Sequence, residues 1–353
     1  MKIAVVTVHD SANFGSFLQA YALKYVLEQD GHEVSFVITR DKEYVRGLFY
    51  KLNLCREMVK HPFKTLKLYL YGRKKYRVFK AEQECFREIG IPELGDFDLS
   101  ILGSDEIWNV EVPVFRNLVF YGKYSKNNIA YGVSAGRATP ESFGGFDEIR
   151  DCISKISAPL ARDENTALAI EGITGTRPEI VCDPTLLADK EIYFRTLNNK
   201  YINNHKCLML YMYEPTPEVR KIIIDFARKQ GLKLVSVGFY YNWCDYNLLC
   251  SPMEFCSALE KAEFVITTTF HGTIYSVING KKFVCLPLSQ KTTDILKRFG
   301  AEDAMLDFKD ISVESLEDKF VNFSVDYTAV NERIINMRES SLEKLRSQIR
   351  GIK

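Results

Sequence analysis

Short apolar runs alternate with amphipathic stretches from the first residues onward. Lys2 to Val8 reads as a strand, Phe17 to Gln29 as a helix closed by Gly31, and Glu33 to Ile38 as a second strand. That order is a βαβ unit and predicts a parallel sheet. Asp98 to Leu102, Ile129 to Ser134 and Ile156 to Ala161 continue the strand pattern. A second set starts near Pro178, with strands over Lys206 to Tyr213 and Leu232 to Val237 flanking a helix over Pro217 to Gln230. Ser251-Pro252-Met253-Glu254 joins a capping box to a proline at the first helical position, so a helix begins there. Phe264 to Thr267 and Phe283 to Leu286 read as strands, Thr292 to Phe299 as a helix, and Tyr327 to Ile349 as a long charged amphipathic helix.

The pattern predicts an α/β fold of two Rossmann-like domains facing across a cleft, ended by a long C-terminal helix. The boundaries it gives are 1–175, with a basic helical insertion at about 40–90, then 176–325 and 326–353. A chain of 353 residues with 46% hydrophobic positions can bury two such cores. No apolar run approaches the roughly 20 residues of a membrane span, and the first residues lack the pattern of a signal peptide. A cytoplasmic location is expected. The nine cysteines are scattered and form no CxxC pair, so they are expected to be reduced and to bind no metal.

Charge is uneven beneath a net value of +1. Residues 40–80 hold 13 Lys or Arg against 3 Asp or Glu, interleaved with Leu48, Phe49, Leu66, Leu68, Tyr69 and Leu70. That composition suits an anionic membrane surface, and it equally suits ordinary helices with a solvated basic face. Nucleic acid is not expected, because no binding motif accompanies the basic segment.

The strand-end loops carry the candidate chemistry. His271 lies where a buried strand gives way to a helix start, a position at which free backbone amides attract anions. It could move a proton near neutral pH, and it could equally be a structural loop histidine. Gly272 is expected to let a phosphate or carboxylate approach the main chain. Asn13 and Gln19 could bond sugar hydroxyls, or Asn13 could shape a turn with Ser16 as helix cap. Ser104, Asp105, Trp108 and Asn109 mix carboxylate, amide and indole as carbohydrate sites do, though Trp108 as core and Asp105 as cap fit the same residues. Arg162-Asp163-Glu164 is either an anion-binding guanidinium with its carboxylates or an internal ion pair.

These blocks, in this order, resemble the polysaccharide pyruvyl transferase family. Asn13 to Leu23, Gly103 to Asn109, Tyr131 to Gly136, Arg162-Asp163-Glu164, Asp183-Pro184-Thr185-Leu186-Leu187 and Phe270-His271-Gly272-Thr273 carry the likeness. The resemblance implies a GT-B-like fold whose last helix returns to the first domain. It also implies transfer of pyruvate from phosphoenolpyruvate to two hydroxyls of a surface-glycan sugar, as in exopolysaccharide or capsule assembly. Polyprenyl-diphosphate-linked sugars are among the acceptors it implies. No cofactor or metal is called for.

On that reading His271 and Arg162 are the catalytic candidates. Thr269, Gly272, Thr273, Lys291 and Asp183 would serve the donor, and Asn13, Gly15, Gln19, Ser104, Asp105, Trp108, Asn109 and Ser134 the acceptor. Two departures matter: Glu106 stands where the family usually has glutamine, and Thr269 stands where many members have arginine. Lys291, Lys297 or Arg298 could restore the missing cation. Thr269 also fits a different donor, as in a GT-B glycosyltransferase using a nucleotide sugar, or a glycan-binding protein of the same fold without catalysis.

Overall fold

In the computed structural model, which describes residues 1–39 and 62–352, all strand pairing is parallel. Seven strands form the first sheet: β1 (Lys2–Val6), β2 (Glu33–Val37), β3 (Glu88–Ile89), β4 (Leu99–Leu102), β5 (Asn128–Val133), β6 (Leu160–Ala161) and β7 (Glu179–Ile180), in the order β3-β2-β1-β4-β5-β6-β7. The second holds β8 (Cys207–Tyr211), β9 (Lys233–Val237), β10 (Tyr246–Leu248), β11 (Phe264–Thr267) and β12 (Phe283–Cys285), in the order β10-β9-β8-β11-β12. The apolar runs form these strands because helices cover both faces of each sheet.

Helices α1 (Phe14–Gln29), α2 (Pro62–Gln83), α3 (Asp147–Ser154) and α4 (Glu164–Thr174) belong to the first half. The second half carries α5 (Lys200–Asn204), α6 (Pro217–Lys229), α7 (Pro252–Glu260), α8 (Phe270–Ile278), α9 (Gln290–Phe299) and α10 (Val313–Val321), and α11 (Tyr327–Gly351) follows. The helix expected at Ser251-Pro252 starts with its full capping box: Ser251 Oγ accepts from Glu254 N, and Glu254 accepts from Ser251 N at 2.8 Å.

Strand order in each sheet reverses once, between β1 and β4 and between β8 and β11. Ligands of open α/β sheets bind at such switch points. The loops after β1, β4, β8 and β11 therefore define where a site should lie, and they face one another across the two domains.

The domain change comes later than residue 175. Although Gly175 ends α4 in the left-handed conformation, the chain returns to the same sheet, where Glu179 and Ile180 pair with Leu160 and Ala161. A strand of two residues, one of them an exposed glutamate, is too short for an alternating pattern to register. Asp183, which follows it, thus hangs from the first sheet rather than the second.

The cleft has a packed floor. One apolar cluster runs through both halves and includes Phe14, Phe17, Tyr211, Phe255 and Ile274. Phe14, at the start of α1, stacks on Phe255 of α7 at 4.4 Å and 12° between ring planes. Helix α11 ties the halves from outside. Near its start the Tyr327 hydroxyl donates to Lys281 O, and further on Arg338 donates to Leu186 O at 2.8 Å while Ser341 Oγ accepts from Cys182 N. Arg346 then makes a two-pronged pair with Asp30 of the first domain, both contacts 2.8 Å.

Candidate active site at the domain interface

His271 is the second residue of α8, immediately beyond β11. Thr269 caps that helix by accepting from Gly272 N at 3.0 Å. The amides of Phe270 and His271, at the start of the helix, have no intrahelical acceptors. Gly272 plays a different part from the one expected. A Cβ there would lie 2.1 Å from Thr267 Oγ1 and 2.8 Å from Tyr211, so glycine is required for helix and strand to pack, not for a ligand to reach the backbone. Thr273 also turns away from the cleft: it is fully buried, with its hydroxyl on Thr269 O and Cys285 Sγ.

Asp183 and His271 meet across the boundary. Asp183 Oδ2 lies 3.6 Å from His271 Nε2 and accepts from Arg162 at 3.0 Å, while Oδ1 accepts from the Thr185 amide and hydroxyl. Burial would raise this carboxyl, but His271 and Arg162 outweigh it and hold Asp183 well below the usual carboxylate range. Asp183 is therefore an anion whose charge faces the imidazole.

Arg162 was expected to grip a donor anion directly. It is only 3% exposed, its guanidinium contacts Asp183 and Ser104 Oγ, and its face covers the Phe270 ring at 4.9 Å. Burial opposes its charge, and Asp183, Asp163, Asp105 and Glu106 more than compensate, so its pKa is raised. Arg162 is an internal ion pair that fixes Asp183.

The first domain contributes the opposite wall. Asn13 is the cap of α1, accepting from Gly15 N and Ser16 N, so Ser16 does not cap this helix. Ser16 instead donates to Asp105 Oδ2 at 2.6 Å. Asp105 has φ 68°, the left-handed conformation, which aspartate adopts more readily than most non-glycine residues. Gly15 lies against the imidazole: a Cβ on it would fall 2.0 Å from His271 Nδ1.

Five residues expected at an acceptor are interior instead. Gln19 is fully buried and donates to Thr7 Oγ1 and two carbonyls. Trp108 is buried with its indole N–H on Phe120 O, packed against Tyr121. Asn109 braces the loop by accepting from Glu111 N, and Ser134 Oγ donates to Asp163. Apolar surroundings keep the indole in the core, and the polar side chains bond to protein partners, although Gln19 does so through its amide nitrogen alone and its Oε1 is buried with none among the described residues. Ser104 is likewise buried, beneath Arg162.

The mouth of the site is marked by groups from both halves. Lys291, on α9, pairs with Glu106 and lies 5.6 Å from the Phe270 ring. Burial would raise Glu106, yet the Lys291 ammonium prevails and lowers its pKa. Arg137 and Tyr213 were not singled out from sequence. Arg137 is exposed and reaches Leu288 O at 3.0 Å, just before α9. Tyr213, after β8, is 55% exposed, and its amide is fixed by Thr268 Oγ1 beside the capping threonine. Burial, then Glu106 and Asp105, raise its hydroxyl pKa. Their only signal was a place just beyond a strand. Lys297 and Arg298 lie at the far end of α9, and Arg298 points to Val181 O at 3.5 Å.

Two surface grooves, about 520 Å³ beside Leu160, Glu179 and Lys344 and about 560 Å³ beside Lys123, Asn128 and Glu148, lie at the opposite ends of the strands. Neither contains a residue of the cluster just described. Among the described residues no group of three His, Cys, Asp or Glu side chains could hold a metal, and no helix is long and apolar enough to cross a membrane.

Two parallel sheets with strand-end loops meeting at one site, and a last helix joining the halves, define a GT-B-like protein. A UDP-GlcNAc 2-epimerase from Neisseria meningitidis bound to UDP-GlcNAc has this fold, with TM-score 0.51 and 12% identity, covering 97% of this chain and 94% of its own. So have the MnaA-UDP structure from S. aureus (TM-score 0.52, 10% identity, 94% and 90% covered) and the spinosyn rhamnosyltransferase SpnG (0.51, 13%, 99% and 100%). At these identities the likeness concerns fold alone. Residues 13–290 match the family described as polysaccharide pyruvyl transferase, and the chain belongs to that family. No functionally curated sequence matches it.

Proposed function

We propose that this transferase of polysaccharide biosynthesis moves pyruvate from phosphoenolpyruvate onto a sugar diol, forming a cyclic ketal. The observation that carries the reading is the convergence of four separated family blocks, at Ser104–Asp105, Arg162, Asp183 and His271, around one imidazole and one helix start. One acceptor hydroxyl adds to the central carbon of the enol while the methylene carbon takes a proton and becomes methyl. The second hydroxyl then displaces phosphate from the same carbon and loses its proton, so the products are the ketal and inorganic phosphate.

His271 is the proton donor to the methylene carbon, with the Asp183 carboxylate 3.6 Å from its Nε2 orienting the ring. Lys291 and the first amides of α8 receive the donor's anionic groups, which places Lys291 in the electrostatic role of the arginine that Thr269 replaces. Lysine acts there as a point charge without a bidentate grip. Arg162 works at one remove, by holding Asp183. Asp105 and Glu106 face the acceptor hydroxyls, Asp105 as the base.

The test is incubation with phosphoenolpyruvate and candidate glycans. Phosphate release with the mass gain of a pyruvate ketal is expected. Thr269 and the fold favour one competing reading, a nucleotide-sugar donor; nucleotide release from a sugar nucleotide, with no turnover of phosphoenolpyruvate, would establish it instead. Persistence of the biological activity in His271→Ala and Asp183→Asn chains would show that the protein binds glycans without chemistry.

A further inference from the structure

Tyr213 follows β8, one of the two strands between which the order of the second sheet reverses. Its backbone is fixed, because the amide donates to Thr268 Oγ1 at 2.9 Å and Thr268 is itself buried just beyond β11. Pro215 is buried two residues on, and Glu214 between them is taken up by Arg220 at 2.6 Å and by the Trp243 indole at 3.3 Å. Among the described aromatic residues that follow β8, β9 and β11, Tyr213 alone is more than half exposed.

An aromatic file from the loop after β9 supports the ring. Tyr213 packs on Phe239 at 5.6 Å and 63° between ring planes, Phe239 lies parallel to Tyr241 at 6.1 Å, and Tyr241 stacks on Trp243 at 5.3 Å. The Tyr241 hydroxyl donates to Met212 O at 2.6 Å, which joins this file to the chain just before Tyr213. A ring braced by a neighbour, fixed through its backbone and open elsewhere is preorganised for a flat partner and loses little freedom on binding one.

Charge selects the partner. Burial, then Glu106 and Asp105 of the first domain, raise the Tyr213 hydroxyl pKa, so these two carboxylates are the charges it faces across the cleft. Asp105 accepts from Ser16 on one oxygen and from the Glu106 amide on the other, which leaves each oxygen a lone pair. A phosphate or carboxylate set against Tyr213 would meet these negative charges. A neutral pyranose suits both walls: its hydroxyls donate to the carboxylates, and its ring C–H groups lie on the electron-rich face of the tyrosine.

We propose that Tyr213 is the stacking platform of the acceptor subsite, lying against the apolar face of a neutral sugar ring whose diol is directed at Asp105. The direction of the diol rests on the function proposed above; the contact between sugar and tyrosine does not.

The test is saturation-transfer NMR on the full chain with the methyl β-glycosides of glucose, galactose and mannose. At least one glycoside should receive saturation on the C–H groups of one ring face. Tyr213→Ala should weaken its binding about fivefold or more, and Tyr213→Phe, which keeps the ring face, by less than about twofold. Tyr213→Leu, which keeps the bulk without the flat face, should behave as the alanine variant does and serves if that variant fails to fold. With phosphoenolpyruvate and that glycoside, Tyr213→Ala should raise the acceptor KM by the same factor and leave the donor KM where it was. Unaltered glycoside affinity in the alanine and leucine variants overturns the inference, as does failure of every glycoside to bind. Equal loss in the phenylalanine variant would assign the contact to the hydroxyl and overturn stacking. Binding of uridine monophosphate in place of the glycosides, lost in Tyr213→Ala, would make the partner a nucleobase and overturn it too. Glycoside contact at Tyr213 without turnover of phosphoenolpyruvate would leave the platform standing and remove the donor assignment. Turnover with an unchanged acceptor KM in the alanine variant would do the reverse.

Discussion

Gly15 and His271 fit together across the two domains, the histidine ring occupying the space that a side chain on residue 15 would need. A β-carbon on residue 15 would come within 2.0 Å of Nδ1, so Gly15→Ala must push the imidazole or the helix aside. Overpacking of this kind costs about 1–3 kcal/mol. On the function proposed above, transfer activity is expected to fall by at least about tenfold, because the displacement reaches the imidazole assigned to proton transfer there. Steady-state kinetics and a melting curve check it: a variant with unchanged kcat would show that the contact is not tied to the chemistry.

Lys291 and Glu106 neutralise each other across the mouth. Glu106→Gln, which restores the residue usual in the family, should free the ammonium and lower KM for phosphoenolpyruvate several-fold. Lys291→Ala should raise it about tenfold or more, with a smaller change in kcat, as expected for a group that binds the donor anion. Identical donor KM values in both variants would place the donor elsewhere.

Asp183 links the site to acid stability. Its folded pKa lies below that of an unfolded aspartate, about 3.9, so its contribution is complete above that value. As pH falls through about 4, the unfolded chain takes up a proton that the folded carboxylate refuses, and stability drops. Asp183→Asn removes the nearest of the carboxylates around buried Arg162, leaving Asp163 at 4.0 Å, and should cost up to about 3–5 kcal/mol at neutral pH. Denaturant titrations from about pH 6 to 3 should show a steeper loss for the unaltered protein than for the variant.

Lys75 gives a slope of the same sign at the alkaline end. Burial brings its pKa down to about 8, against 10.5 for a free lysine. Between those values the unfolded chain holds a proton that the folded lysine has released, so stability rises with pH. The stability difference between the unaltered protein and Lys75→Met should therefore shift in favour of lysine from about pH 7 to 10. A constant difference would show that Lys75 stays charged beside Gly238.

The architecture was legible because strand patterns, Gly31, Gly231 and the Ser251 capping box all act locally. The site was legible as blocks, since Asn13, Asp105, Asp183 and His271 each follow a strand. What local sequence withheld was direction. Trp108, Gln19 and Thr273 carry binding-type chemistry, yet packing against Tyr121, Thr7 and Cys285 turns them inward. Gly272 reads as a phosphate cradle until the neighbouring strand supplies Thr267. The join at Ile180 was missed because two paired residues leave no period to detect, and Tyr213 and Arg137 gain meaning only from a loop of the other domain.

The last helix carries a consequence for how the molecule is switched on. Asp183 follows a strand of the first sheet and His271 one of the second, so neither half alone holds their contact; the pair is an assembled property. Helix α11, fastened to Lys281 in one half and to Asp30 in the other, sets the register in which they meet. Loosening that strap, for instance by Arg346→Ala, is expected to leave both sheets whole while carboxylate and imidazole drift apart. On the function proposed above, turnover would then depend on an Arg346–Asp30 contact at the back of the molecule.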